Sequence, residues 1–228
     1  MSREFKPRIL AGGSAFMAHV RFNAPNLVEY LGRLGFDAVM LDCEHGSASV
    51  ERIEEMARAA RAAGIAAIVR PEKLDRAIIT RYINCGVDGI MVPLVQDAAM
   101  AREIVQIVHY ARPADHTRLL VIAMIESVEA VAALPEMLAV DGIDVFFVAR
   151  GDLSKSMGYL GEKTHPAVQP VLDRALATIL GAGACVGAAG DFGTVREVMA
   201  KGARLVLVSV EGLLAQATRA YMERAKAG

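Results

Sequence analysis

Four short apolar runs end abruptly in residues able to do chemistry. Residues 36–41 stop at Asp42, Glu44 and His45, just before Gly46; a second run stops at Arg70-Pro71. Met124-Ile125 stops at Glu126, and Phe147-Val148 leads into Arg150-Gly151-Asp152. Two carboxylates such as Glu126 and Asp152, with water or substrate in the remaining positions, form a donor set for Mg2+ or Mn2+. Arg70 offers a planar fork to a carboxylate or a developing oxyanion. His45 has an unperturbed pKa near neutrality and can move protons. Each residue also has a plainer reading. Glu126 and Asp152 could each cap the helix that follows, Arg70 could simply pair with Asp42 or Glu44, and His45 could bond to turn backbone. His19, His109, His116 and His165 have no comparable company in the sequence.

Runs bounded by turn residues read as strands buried on both faces, and helical patterns separate them. The expected strands are 15–20, 36–42, 65–70, 89–92, 119–125, 143–148, 184–188 and 204–209. The expected helices are 25–34, 49–63, 74–84, 97–110, 128–138 (across Pro135), 166–180, 194–200 and 213–226. Pro25 suits a first helical turn, Asp97 a cap, and Gly64 and Gly86 helix ends. Eight strand–helix units of about 25 to 30 residues match a (β/α)8 barrel. No glycine-rich turn follows the first strand, as a dinucleotide-binding open sheet would need. Nor is there an interior linker, so residues 1–228 read as one domain. In such a barrel all strand C-terminal ends share one mouth. Asp42, Glu44, His45, Arg70, Glu126 and Asp152 therefore gather there, while Asp37, Asp88, Asp144 and Arg118 fall at the other end.

The chain has 228 residues, enough for one large core, and a formal net charge of −1 with no basic block, which argues against nucleic acid. No run approaches a membrane span, and the charged start, Met1 to Lys6, leads to no signal-type segment. Cys43, Cys85 and Cys185 are odd in number and far apart, so neither a disulfide framework nor zinc pairing is indicated. The expected location is cytoplasmic. A Schiff-base mechanism would need a lysine on an apolar strand. Lys6, Lys73, Lys155, Lys163, Lys201 and Lys226 all fall in loops or helices, so the metal route is preferred.

Taken in order, the motifs resemble the HpcH/HpaI aldolase family. They are Gly35-Phe36-Asp37, Leu41-Asp42-x-Glu44-His45-Gly46, Val69-Arg70-Pro71, Gly89-Ile90-Met91-Val92-Pro93 and Met124-Ile125-Glu126. Gly142-Ile143-Asp144, Asp152-Leu153-Ser154-x-Ser156-Met157-Gly158-Tyr159 and His165-Pro166 follow. The resemblance implies a (β/α)8 TIM barrel and a class II, metal-dependent pyruvate aldolase. Such a lyase cleaves a 4-hydroxy-2-oxo acid to pyruvate and an aldehyde through a metal-stabilised pyruvate enolate. It implies Glu126 and Asp152 as ligands of Mg2+ or Mn2+, with Co2+ a further candidate. It gives Arg70 to the enolate, His45 to proton transfer and Asp42 to orienting waters. The amides near Gly151 and Asp152 would hold the pyruvate carboxylate. A homohexamer with the last helix exchanged between subunits is also implied.

Four departures stand out. The family's Tyr-Pro-Pro-x-Gly-x-Arg-Gly loop is replaced by the short segment 111–117, and glutamine is common where Met124 stands. Asn84 replaces an aspartate that supports the catalytic histidine from a neighbouring subunit. Ala149-Arg150-Gly151 replaces Gly-Pro, bringing Arg150 near the site. Arg150 could read an extra carboxylate, which keeps open a related lyase acting on a branched or acyl-thioester substrate. Asn84 and the short loop keep open a barrel that binds a metal and a 2-oxo acid without turnover.

Overall fold

Alternation along the strands sorts their side chains into two cores. In the computed structural model, which describes residues 4–162 and 164–226, the strands are β1 (Ala15–Val20), β2 (Ala38–Asp42), β3 (Ala66–Arg70) and β4 (Gly89–Val92). They continue as β5 (Leu120–Ile125), β6 (Val145–Val148), β7 (Cys185–Ala189) and β8 (Ala203–Ser209). Met1, Ser2, Arg3, Lys163 and residues 227–228 lie outside the described residues, including the outermost part of the charged start and one of the loop lysines. Each strand runs parallel to the next, and β8 closes on β1. Met17, Met40, Ile68, Met91, Ile122 and Phe147 point into the barrel. Val39, Leu41, Val69, Val121 and Phe146 point outward against the helices. Both faces are apolar, which is why the strands read as continuous runs.

The helices are α1 (Phe5–Leu10), α2 (Pro25–Arg33), α3 (Val50–Ala63), α4 (Arg76–Asn84), α5 (Ala98–Ala111) and α6 (Val128–Ala132). After them come α7 (Leu134–Leu138), α8 (Arg150–Ser156), α9 (Val168–Gly181), α10 (Val195–Ala200) and α11 (Val210–Lys226). Their starts are written locally. Ser49, Asp75, Asp97 and Ser127 accept backbone N–H bonds from the first turns of α3, α4, α5 and α6. No helix among the described residues is long and apolar enough to cross a membrane.

A Gly-x-Asp unit recurs at the end opposite the mouth. Gly35, Gly86 and Gly142 take φ of 95°, 82° and 101°, a left-handed turn that glycine makes without strain. Two residues later Asp37, Asp88 and Asp144 each accept the amide of a neighbouring strand's residue: Phe16 (2.8 Å), Ala67 (3.0 Å) and Val121 (2.8 Å). These aspartates are structural pins, and they set the register that reaches the mouth.

Three elements differ from expectation. Helix α1 was not foreseen; it is short and carries Pro7, yet Phe5 and Ile9, four residues apart, close the floor of the barrel. Lys6 anchors it through Asp144 at 2.7 Å and the Leu119 carbonyl at 2.8 Å. The helix expected over 128–138 is two helices, because Pro135 lacks the N–H an unbroken helix needs and sits in the first turn of α7 instead. Finally, a helix absent from the expected set, α8, begins at Arg150, so that Asp152 lies inside its first turn rather than capping it.

Candidate active site

Register and parity assemble the first half of the site. Asp42 and Arg70 are paired residues on β2 and β3, and both fall in the inward phase set by Ala38, Met40, Ala66 and Ile68. Arg70 Nε donates to Asp42 Oδ1 (2.9 Å) and Nη2 to Asp42 Oδ2 (2.7 Å), a two-pronged clasp with both side chains buried. The same guanidinium reaches Glu44 at 2.8 Å and His45 Nδ1 at 2.9 Å. The plainer reading of Arg70, as the partner of Asp42 and Glu44, is therefore part of its geometry. Asp42 Oδ1 also accepts the amides of Glu44 (3.1 Å) and His45 (3.2 Å), folding the loop after β2 over the strand end. Burial alone would raise the Asp42 carboxyl, but hydrogen bonds from His19 and Arg70 and the Arg70 charge hold it well below the usual carboxylate range.

Arginine has no acceptor, so the Arg70 contact makes His45 Nδ1 the acceptor and places a neutral ring's proton on Nε2. Glu44 Oε2 lies 3.5 Å from the same Nδ1 and can receive its proton in the other tautomer. The ring thus has a partner in either tautomer.

The second half comes from β5 and α8. Glu126 continues the inward phase of Leu120, Ile122 and Met124 and is 3% exposed. It does not cap α6; Ser127 does. Instead it accepts the amide of Leu94 at 2.6 Å, and Leu94 takes φ of 54°. That is a costly conformation for a branched side chain. Burial drives the Glu126 carboxyl up to about 7; the Leu94 amide opposes this, while Asp152 and Glu44 push the same way. Glu44 is likewise raised by burial, against Arg70 and His45, with Asp42 and Asp152 adding to the rise. Asp152 lies in the first turn of α8 and does not cap it; its Oδ1 meets Lys155 Nζ at 2.7 Å.

Carboxylates that crowd one another at one mouth are a donor set that a hard divalent cation neutralises. Glu126 and Asp152 fit that role. Asp42, Glu44 and His45 also bring ligand atoms within 4.8 Å of one another, close enough for an ion. A cation there would face the Arg70 guanidinium, already 2.7 to 2.9 Å from all three, so that trio fits less well.

The HpcH/HpaI aldolase/citrate lyase family model matches residues 15–217. The chain belongs to that family. It is 29% identical over 249 residues to the 4-hydroxy-2-oxo-heptane-1,7-dioate aldolase of Shigella sonnei, covering 98% of this chain and 95% of that one. It is 28% identical over 232 residues to the hydroxypyruvate/pyruvate aldolase of Roseobacter denitrificans, covering 91% and 90%. An HpcH/HpaI family structure from Burkholderia cenocepacia superposes with a TM-score of 0.92 over 98% of this chain and 99% of that one; at 23% identity this likeness concerns the fold.

One expected residue lies elsewhere, and another faces away from its own protomer's site. The Arg150 guanidinium is turned to Gln169 (3.1 Å) and Glu197 (4.0 Å), on α9 and α10 outside the barrel, rather than to the carboxylates at the mouth. Its place as the first residue of a helix, not a loop, swings it outward. Asn84 is exposed at the end of α4, by the barrel floor, so within one protomer it does not reach His45. Gly151 and Asp152 sit where first-turn amides have no helical acceptor.

Two contributors were passed over. His19, dismissed for lack of company, is next to last in β1 and in the phase of Ala15 and Met17, and its Nε2 meets Asp42 Oδ2 at 2.8 Å. Counting in twos from Ala15 would have found it. The Leu94 amide left no such trace, because a backbone donor has no residue type.

Proposed function

We propose that the protein is a divalent-metal-dependent pyruvate aldolase that reversibly cleaves a 4-hydroxy-2-oxo acid to pyruvate and an aldehyde. Its family places it among carbon–carbon lyases. The observation that carries the finer reading is the buried Arg70, clasped by Asp42 and touching His45, at the same mouth as Glu126 and Asp152. A divalent cation held by Glu126 and Asp152, Mg2+ or Mn2+ with Co2+ as a further candidate, would supply the Lewis acidity that makes the pyruvate methyl acidic.

The chain's own residues do the rest. Arg70 is held charged and immobile, and its four contacts leave one Nη1 hydrogen for the 2-oxo oxygen as that atom gains charge. In cleavage His45 acts in its other tautomer, giving up the Arg70 contact and pointing Nδ1–H at Glu44, so that the bare Nε2 accepts the proton of the C4 hydroxyl. The C3–C4 bond breaks, its electron pair passes to C3 and the oxo oxygen, and the aldehyde departs. A proton returned to C3 completes pyruvate. Asp42 and His19 keep Arg70 in place, and the Gly151 and Asp152 amides meet the substrate carboxylate. Arg150, turned to Gln169 and Glu197, lends no support to a branched or acyl-thioester substrate.

Incubation with Mn2+ and pyruvate in deuterated water tests the reading: deuterium should enter the pyruvate methyl. No exchange at any pH would leave a barrel that binds without turnover.

The cytoplasmic, hexameric state belongs to the same proposal. Helix α11 is exposed from Leu214 onward and leaves Leu214, Tyr221 and Met222 in solvent. A groove between β8, β1 and α2 is lined by Phe16, Leu34, Phe36, Val206 and Val208. A neighbouring subunit's α11 suits that groove. A Tyr221→Glu, Met222→Glu variant should dissociate in light scattering, and an intact protein that is itself monomeric would end this part of the reading.

A further inference from the structure

Asp152 already has a cation. Lys155 follows it by one helical turn on α8 and sets its ammonium 2.7 Å from Oδ1, both side chains open to solvent at 61% and 38% exposure. Lys155 stands at the position that the Asp152-Leu153-Ser154-x-Ser156 motif leaves open. Its charge is also felt beyond Asp152. The hydrogen bond and charge of Asp152 hold the proton on Lys155, and Glu126 and Glu44 add to the hold. One solvent-exposed ammonium is therefore paired with Asp152 on this side of the mouth.

From this placement we propose that Lys155 is a tethered counter-cation that competes with the divalent ion for Asp152. It occupies Asp152 while the ion is away and must let go for the ion to bind, so it weakens metal affinity. The proposal rests on the reading of Glu126 and Asp152 as ligands. The competition is mild for physical reasons. An exposed lysine–carboxylate pair three residues apart is weak and screened by salt, and the four-carbon stem lets the ammonium swing clear without moving the helix. A buried arginine in the same place would have blocked the site.

Mn2+ affinity, read from the electron paramagnetic signal of the free ion, tests this without reference to turnover. Lys155→Met should bind Mn2+ about two- to fivefold more tightly than the wild type at low ionic strength, and the gap should close in high salt. Lys155→Arg, which keeps the charge, should stay near the wild type. Glu126→Ala and Asp152→Ala should lose most of the binding. If they do and Lys155→Met binds no more tightly than the wild type, the counter-cation role is wrong while the metal assignment stands. If both alanine variants bind Mn2+ as the wild type does, the metal assignment falls and Lys155 falls with it.

Discussion

Glu126→Ala should cut metal-dependent turnover by at least about a thousandfold, because a Lewis acid contributes several kcal/mol to the barrier and each 1.4 kcal/mol is a factor of ten. The fold should survive. Glu126 packs no helix end, since Ser127 does that, and its charge is crowded by Asp152 and Glu44. Glu126→Gln keeps the shape and an acceptor for the Leu94 amide while removing that charge. It should melt no lower than the wild type and still be inactive. A wild-type rate in either variant, with added Mn2+, would remove Glu126 from the chemistry.

Asp42 and Arg70 should behave in the opposite way, with stability and activity lost together. Removing one member of a buried, hydrogen-bonded ion pair strands the other, at a cost of about 3–5 kcal/mol. Asp42→Ala and Arg70→Ala should each lower Tm by on the order of 10 °C. The double variant Asp42→Leu, Arg70→Met should cost clearly less than the two single losses added, since neither charge is then left alone. The sign with pH follows from Asp42. Its folded carboxyl is held below the ordinary range, so its contribution is present above the unfolded pKa and fades as the solution is acidified below about pH 4. The melting gap between wild type and Asp42→Asn should narrow in acid. Arg70→Lys keeps a charge but not the fork, and should still slow turnover about 10²- to 10³-fold. Additive melting losses in the cycle would show that the clasp is not a coupled unit.

Much of the architecture was legible because its signals are local. Apolar runs closed by Pro71, Pro93 or glycine, and caps such as Ser49, Asp75 and Asp97, mark where each element begins and ends without reference to the rest of the chain. What was missed was not local. Helix α1 draws its stability from closing the barrel floor, a long-range contact that its six residues do not advertise.

The sequence by itself determined that eight parallel strand–helix units would close into a barrel and that Asp42, Arg70, Glu126 and Asp152 would share its mouth. Strand period and chain direction alone decide which residues end up at which end. Only the tertiary structure decided how those residues divide their partners. It gave Arg70 to Asp42, Glu44 and His45, joined His19 to Asp42, turned Arg150 outward and aimed the Leu94 amide at Glu126. Those pairings depend on strand register, on backbone angles and on where a helix starts, and residue type carries none of these.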